Sequence, residues 1–361
     1  MVAQTRTKSE IKTRTKAGAR APSAQAAAQL FLAEHRVRWL EVVPWLIAIF
    51  VYFALPGYRG LATQILVMIL FALSLDLIVG YAGIVSLGHT ALFGTGAYAA
   101  ALLASKAEAL SVLGYPLLGH PVIGLAAAML AAALLGLISG WVILRTHGLT
   151  LLMLTMALSI MLYELAKDLD DITGGFDGIN FTNQPILGIF PFDIVGYSVN
   201  YWYALIVLFL LFVLARTIVY SPFGRALIGI RENVDRMHAI GSPVDERKLT
   251  IYVISAAMAG AAGAVWVQVQ GNITIAVYEF DLAGAVLIMV ILGGTGRLYG
   301  AFIGATVYKI LEDLTEQVLG TEPPYWELVV GVTLVLTVLF APRGLLGIVE
   351  DTAKAVRRNR P

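Results

Sequence analysis

An aspartate stands inside the apolar stretch LSLDLIVGY at position 76, and Ser86, His89, Thr90 and Thr95 follow it within GYAGIVSLGHTALFGTGAYAAALL, Gly80 to Leu103. An ionisable group at membrane depth is costly and marks function by default. Hydroxyls beside an imidazole can exchange hydrogen bonds with a polar solute as it passes. The Gly80-x-x-Gly83 break separates two apolar runs, and a broken helix leaves backbone groups that only a cavity or buried protein can satisfy. In transporters such breaks border the substrate path. Asp76, Ser86, His89 and Gly94 are therefore the expected path residues. Each has a structural alternative: tight packing for Ser86, His89 and Gly94, and snorkelling to the interface for Asp76, four residues from the break.

Catalysis would need a different set of groups. Paired aspartates, a serine with a lysine, or a His-Glu-x-x-His metal site would have to lie within the spans, and the sequence places none there. With Cys 0, thiol chemistry and cysteine metal ligands are excluded. No Gly-x-x-x-x-Gly-Lys-Ser/Thr loop occurs, so a nucleotide would have to bind another chain. No catalytic residue, metal ligand or cofactor is assigned.

The elements that position these residues follow from composition. Hydrophobic residues make up 58% of the 361 and charged ones 14%, against about 25% charged in an average soluble domain. A fold this large could not cover itself in water with so little polar surface, so the chain reads as an all-α polytopic membrane protein. A net charge of +1 gives no field to draw nucleic acid. Apolar runs predict about ten spans, near 39–55, 61–79, 84–104, 121–143, 149–165, 202–219, 250–270, 281–292, 298–311 and 325–341. The eighth and ninth are shorter than the ~20 residues a crossing helix needs, which makes them half-spans, either a re-entrant pair or two spans broken at Gly293-Gly294-Thr295-Gly296. The alternation of a membrane β-barrel is absent. No cleavable signal is expected, because the first apolar run starts behind a long basic tail.

Lys and Arg set the orientation. With the N-terminal tail inside, alternation puts 21 Lys/Arg in inside segments and 3 outside, so both termini are expected in the cytoplasm of a multi-pass inner (plasma) membrane protein. Residues 1–38 read as a basic, disordered tail attracted to anionic lipid, 39–343 as the transmembrane permease body, and 344–361 as a second short basic tail.

Two further stretches carry information. Leu298, Gly300, Gly304 and Tyr308 partly echo Leu87-Gly88, Gly94 and Tyr98, again after a Gly-rich break; an inverted repeat produces such an echo, and so does chance, glycine being common in membrane helices. The inside loop 216–249 contains an amphipathic segment, with Ala226, Leu227, Ile230, Val234, Met237 and Ile240 at three- and four-residue spacing. Pro222 and Gly224 start it and Gly241-Ser242-Pro243 stops it. Its mixed acidic and basic face favours docking to a protein over lipid.

Five pieces in order carry a resemblance: GYAGIVSLGH with GAYAAALL, ITGGFDGI at 172–179, FGRALIGIRE…GSPVDERKLTIYVISAAMAGAAGAV at 223–265, VILGGTGRLYGAFIGA at 290–305, and APRGLLG at 341–347. Over about residues 60–347 the chain resembles the M-type permease subunit of branched-chain amino-acid ABC importers. The resemblance implies a type II importer permease that forms the path with a second permease subunit. It also implies two cytoplasmic ATPases that bind the ATP, and an external substrate-binding protein. The inside loop then becomes the ATPase coupling element, with Gly224, Arg225, Ile230, Arg231, Glu232 and Gly241 as its residues. Glu232 and Gly241 match the ends of the family's docking motif, Glu232 being expected near the helix N-terminus, while Met237 and His238 stand where smaller residues are usual. The solute would be a branched-chain amino acid or a related small polar molecule. The competing class is an ion-coupled secondary transporter, which also uses broken helices but needs neither the docking loop nor an ATPase.

Overall fold

The computed structural model describes residues 42–106, 119–181, 198–319, 328–329, 331–333, 335, 339 and 344–347. The basic tail 1–38, most of the tenth expected span and most of 344–361 lie outside the described residues. Residues from Ala48 onward form one compact unit.

The helices are α1 (Val43–Ala54), α2 (Arg59–Asp76), α3 (His89–Ser105), α4 (Pro121–Ile143), α5 (Leu149–Asp168), a single turn α6 (Asp170–Thr173), α7 (Ser198–Tyr220), α8 (Pro222–Glu232), α9 (Val234–Ala239), α10 (Val244–Gln270), α11 (Phe280–Gly293) and α12 (Gly300–Leu319). Among the described residues, five stretches are long and apolar enough to cross a bilayer: Pro56–Tyr81, which contains α2, and α4, α5, α7 and α10. The ninth expected span is longer than its apolar run. α12 has 20 residues, and within it the half-buried Lys309 and Glu312 pair at 2.6 Å.

Sequence punctuation places the helix ends. α4 opens with Pro121 at its first position, and the His120 ring accepts from the Val122 N–H at 3.4 Å. α10 stops at Gly271 with φ +73, a left-handed conformation that a side chain disfavours. α2 ends in a π-helical turn, Leu77–Tyr81, just before the Gly80–Gly83 break; such turns relax the i→i+4 ladder and let the chain leave the helix.

α2, α3 and α10 form the buried centre, packed through small residues. On α4, Gly124, Ala128, Ala132, Gly136 and Gly140 recur every four residues and are all buried. A Cβ on Gly136 would press on Ala256, and one on Gly263 would overlap the Phe93 carbonyl. Membrane helices lack a hydrophobic force between them and associate through such close approach. The opposite face of α4 exposes Leu130, Leu134, Leu137, Ile138 and Trp141, as a lipid-facing or subunit-facing surface does.

The bundle has two ends. At one, the strands Ile179–Asn180 and Asn272–Ile273 pair antiparallel, Ile179 opposite Ile273. At the other lie the Gly80 break, the α8–α9 loop and the Gly294–Gly296 turn. α11 starts beside the middle of α3, since the Tyr278 ring before it stacks on Tyr98 at 5.7 Å and lies over Gly94. It finishes at Gly293 on the second end. Arg–aromatic pairs mark both ends: Arg59 over Tyr52 at 4.5 Å, Arg145 over Trp141 at 4.2 Å and Arg216 over Tyr220 at 5.5 Å.

Candidate translocation and coupling sites

Asp76 closes α2 and is 1% exposed. Its Oδ1 accepts the Gly296 N–H at 2.7 Å. The second oxygen, Oδ2, has no hydrogen-bond partner. Asp76 therefore does not snorkel. It is folded inward onto the second glycine break, and a Cβ at Gly80 would overlap the Gly296 backbone.

Ser86 is buried, and its Oγ accepts the Gly88 N–H at 3.2 Å, which shapes the turn into α3. The Leu87 N–H donates to Thr155 Oγ1 at 3.2 Å, and Thr90 and Ser159 share a hydrogen bond at 3.0 Å, so α5 is tied to the same break. His89 has no exposed surface and stacks on Phe71 with centroids 5.7 Å apart. Its Nε2 lies 3.0 Å from Ser74 Oγ and 3.4 Å from Ser255 Oγ, and Ser255 Oγ donates to the Ser74 carbonyl at 2.5 Å. One imidazole thus joins α2, α3 and α10. A turn and a half further along α3, Gly94 gives room to the Tyr278 ring, which any side chain there would displace. The structure brings Ser86 and His89 together at the start of α3, with Gly94 higher on the same helix. Asp76 sits on the other side of the break.

The loop 216–249 is two helices. Sequence periodicity reads one amphipathic segment up to Gly241, whereas α8 ends at Glu232 and α9 begins after Asn233. The signal was present: Asn is a preferred N-cap residue, and Asn233 Oδ1 accepts the Arg236 N–H at 2.8 Å. Glu232 is accordingly the last residue of α8, exposed, and stands immediately before the Asn233 cap of α9. Met237 is accommodated because it packs on Gly229, whose absent side chain leaves space for the thioether. The fold-back pairs α8 with α9.

Each remaining coupling residue has a defined place. Ser221 caps α8 by accepting the Gly224 N–H at 3.2 Å, and a Cβ on Gly224 would overlap the Ile218 and Val219 carbonyls. Arg225 is exposed, and Ile230 is fully buried against the body. The Arg231 guanidinium donates to the Gly80 carbonyl. Gly241 has φ +79; its N–H donates to the His238 carbonyl at 2.9 Å and the Ser242 N–H to the Met237 carbonyl at 3.0 Å, the two bonds of a Schellman C-cap. The exposed residues of the loop include Arg225, Arg231, Glu232, Asp235, Arg236 and Ile240.

Sequence reasoning missed the partner of Asp76. Gly294 and Gly296 both have positive φ, and a turn of that kind presents successive N–H groups to an anion. The Gly-Gly-Thr-Gly run was legible as a break, but nothing in it names a carboxylate 220 positions away as its ligand.

Comparison with known proteins gives these sites a family. Residues 57–338 match the family described as the branched-chain amino acid transport system permease component. LivM of Escherichia coli, a high-affinity branched-chain amino acid transport system permease protein, is 27% identical over 319 residues, covering 82% of this chain and 72% of that protein. A probable branched-chain amino acid transport permease protein LivM of Methanocaldococcus jannaschii is 28% identical over 211 residues, 55% of this chain and 59% of its own. LivH of Escherichia coli, also a high-affinity branched-chain amino acid transport system permease protein, is 35% identical over 129 residues, 36% of this chain and 41% of its own. No solved structure is a significant match. A helical bundle with at least five crossing-length apolar stretches, matched over residues 57–338, belongs to the family of branched-chain amino acid transport permeases, multi-pass transport subunits and not enzymes.

Proposed function

We propose that this chain is the permease subunit of an ATP-driven importer in the inner membrane, with both termini cytoplasmic, and that it carries branched-chain amino acids or a related small polar solute. It shares the path with a second, homologous permease subunit. Two cytoplasmic ATPases bind the ATP, and an external binding protein delivers the solute. The observation that carries the reading is the α8–α9 pair. It is a compact two-helix element between two long apolar helices, fixed to the body by Ile230 and Arg231 while Arg225, Glu232, Arg236 and Ile240 face outward. An ATPase moves a permease only through a rigid element, and a capped helix pair packed on the body is one. An ion-coupled carrier has no use for it.

The experiment is co-expression with and without a second permease subunit, two ATPases and a binding protein. Purified alone, the chain is expected to show no ATP hydrolysis above background. The assembled complex in proteoliposomes is expected to import radiolabelled leucine only with internal ATP and external binding protein. Urea, acetamide and phenylacetate serve as competitors that sort the substrate class. Uptake driven by an ion gradient without ATP is the outcome that would replace this reading.

A further inference from the structure

We propose that Arg231 is the positioning residue that transmits α8 movement to the permeation path, acting as a clasp across the two glycine breaks with Asp76 as its counter-charge; this rests on the coupling role of the α8–α9 loop proposed above. The geometry is specific. The Arg231 stem lies on Gly83, where an added Cβ would come within 3.1 Å of Arg231 Cγ. Its guanidinium donates to the Gly80 carbonyl, and a Cβ on Gly296 would come within 2.9 Å of its Nη1. Three glycines from two breaks thus form a slot that admits one guanidinium and that any side chain would obstruct.

The slot is also polar in the right sense. Gly80 lies in the π-helical turn just before the chain breaks away, and carbonyls at a helix end lack intrahelical donors. Arg231 supplies one. Asp76 holds the Gly296 N–H through Oδ1, while Oδ2 is buried without a hydrogen bond. Gly80 joins the two side chains: its carbonyl accepts from Arg231, and a Cβ on it would overlap Asp76 Oδ1. A buried carboxylate without a compensating cation is strongly disfavoured. When α8 shifts and takes Arg231 with it, the Gly80 carbonyl loses its donor and Asp76 loses its counter-charge in one step. The contact between the two breaks then weakens where α3 and α12 begin. A bond of this kind is made or broken, whereas an apolar contact would slide.

The test uses the complete transporter, with its partners, in proteoliposomes, and reads ATP hydrolysed per leucine imported. Arg231→Gln is expected to keep the ATPases bound at the wild-type ratio and to raise ATP per leucine about tenfold, within the usual span of coupling energies. Arg231→Lys, which keeps the charge but not the planar fork, is expected to recover most of the ratio. Asp76→Asn, similar in size but uncharged, is expected to match Arg231→Gln, and the double variant to be no worse than either single one. A wild-type ratio in Arg231→Gln overturns the clasp, as do multiplied defects in the double variant. Loss of the ATPases from Arg231→Gln overturns it too, by placing Arg231 in their interface. If Arg231→Gln fails to insert, Arg231→Lys and Asp76→Asn with their double variant decide the question by the same ratio. A wild-type complex without ATP-dependent uptake fails the underlying reading instead, before any variant is compared.

Discussion

Gly96 on α3 and Gly260 on α10 meet backbone to backbone, and a Cβ added to Gly96 would overlap the Gly260 carbonyl. Gly260 also touches α4, where a Cβ would press on Ala132. Three helices share one contact that contains no side chain beyond a methyl. Gly260→Val is expected to cost about 1–3 kcal/mol, the usual penalty of overpacking, and to lower the melting temperature in detergent. An unchanged thermal transition measured on the purified complex would show that these helices part without penalty.

Gly241 has open space where its Cβ would be, so its constraint is conformational alone. Gly241→Val is expected to fray the end of α9 by about 1 kcal/mol or more, while Gly241→Asn, tolerant of left-handed backbone, stays close to wild type. Membrane insertion and pairing with the second permease should be normal in both. Only the valine variant should release the ATPases on affinity purification and lose uptake. Equal retention of ATPase by both variants would remove this cap from the coupling surface.

His89 and Ser255 lie together in the buried centre of the bundle. Ser255→Ala removes a donor to the Ser74 carbonyl and a contact with His89, and intramembrane hydrogen bonds contribute about 0.6 kcal/mol on average. His89→Ala also leaves a void under Phe71 and is expected to cost more, about 2–4 kcal/mol. Both variants should retain the ATPases while leucine uptake changes. ATPase loss would mean that the imidazole supports the whole body and not one path.

Opposite ends of the bundle should face opposite compartments. Asp177 follows the Gly174–Gly175 turn at the hairpin end and Asn233 separates α8 from α9, and both are exposed. In this natively Cys-free chain, single cysteines at the two positions should be labelled by impermeant maleimide from different sides of the membrane. Labelling of both from one side would break the topology.

Much of this was legible in the residues. Proline and glycine punctuation placed α4, α10 and the Gly80 break, since those residues act on the backbone locally and need no partner. The left-handed Gly241 could be read the same way. The division at Asn233 was hidden because the apolar stripe continues through it, and periodicity outweighed a capping signal. The inward turn of Asp76 depended on a long-range partner, the N–H of Gly296. A backbone group has no identity in a sequence. Position along the span alone therefore left interface and interior equally open.

The Arg–aromatic pairs have a mechanical consequence. Tyr52 with Arg59 stands at one end of the bundle, and Trp141 with Arg145 and Tyr220 with Arg216 stand at the other. Amphipathic rings and snorkelling guanidinium groups prefer the headgroup layer, and moving them along the membrane normal exposes one to hydrocarbon or the other's stem to water. A subunit moored in both leaflets resists being pushed like a piston. Force delivered from one side is left with rocking and in-plane rotation as its low-resistance directions.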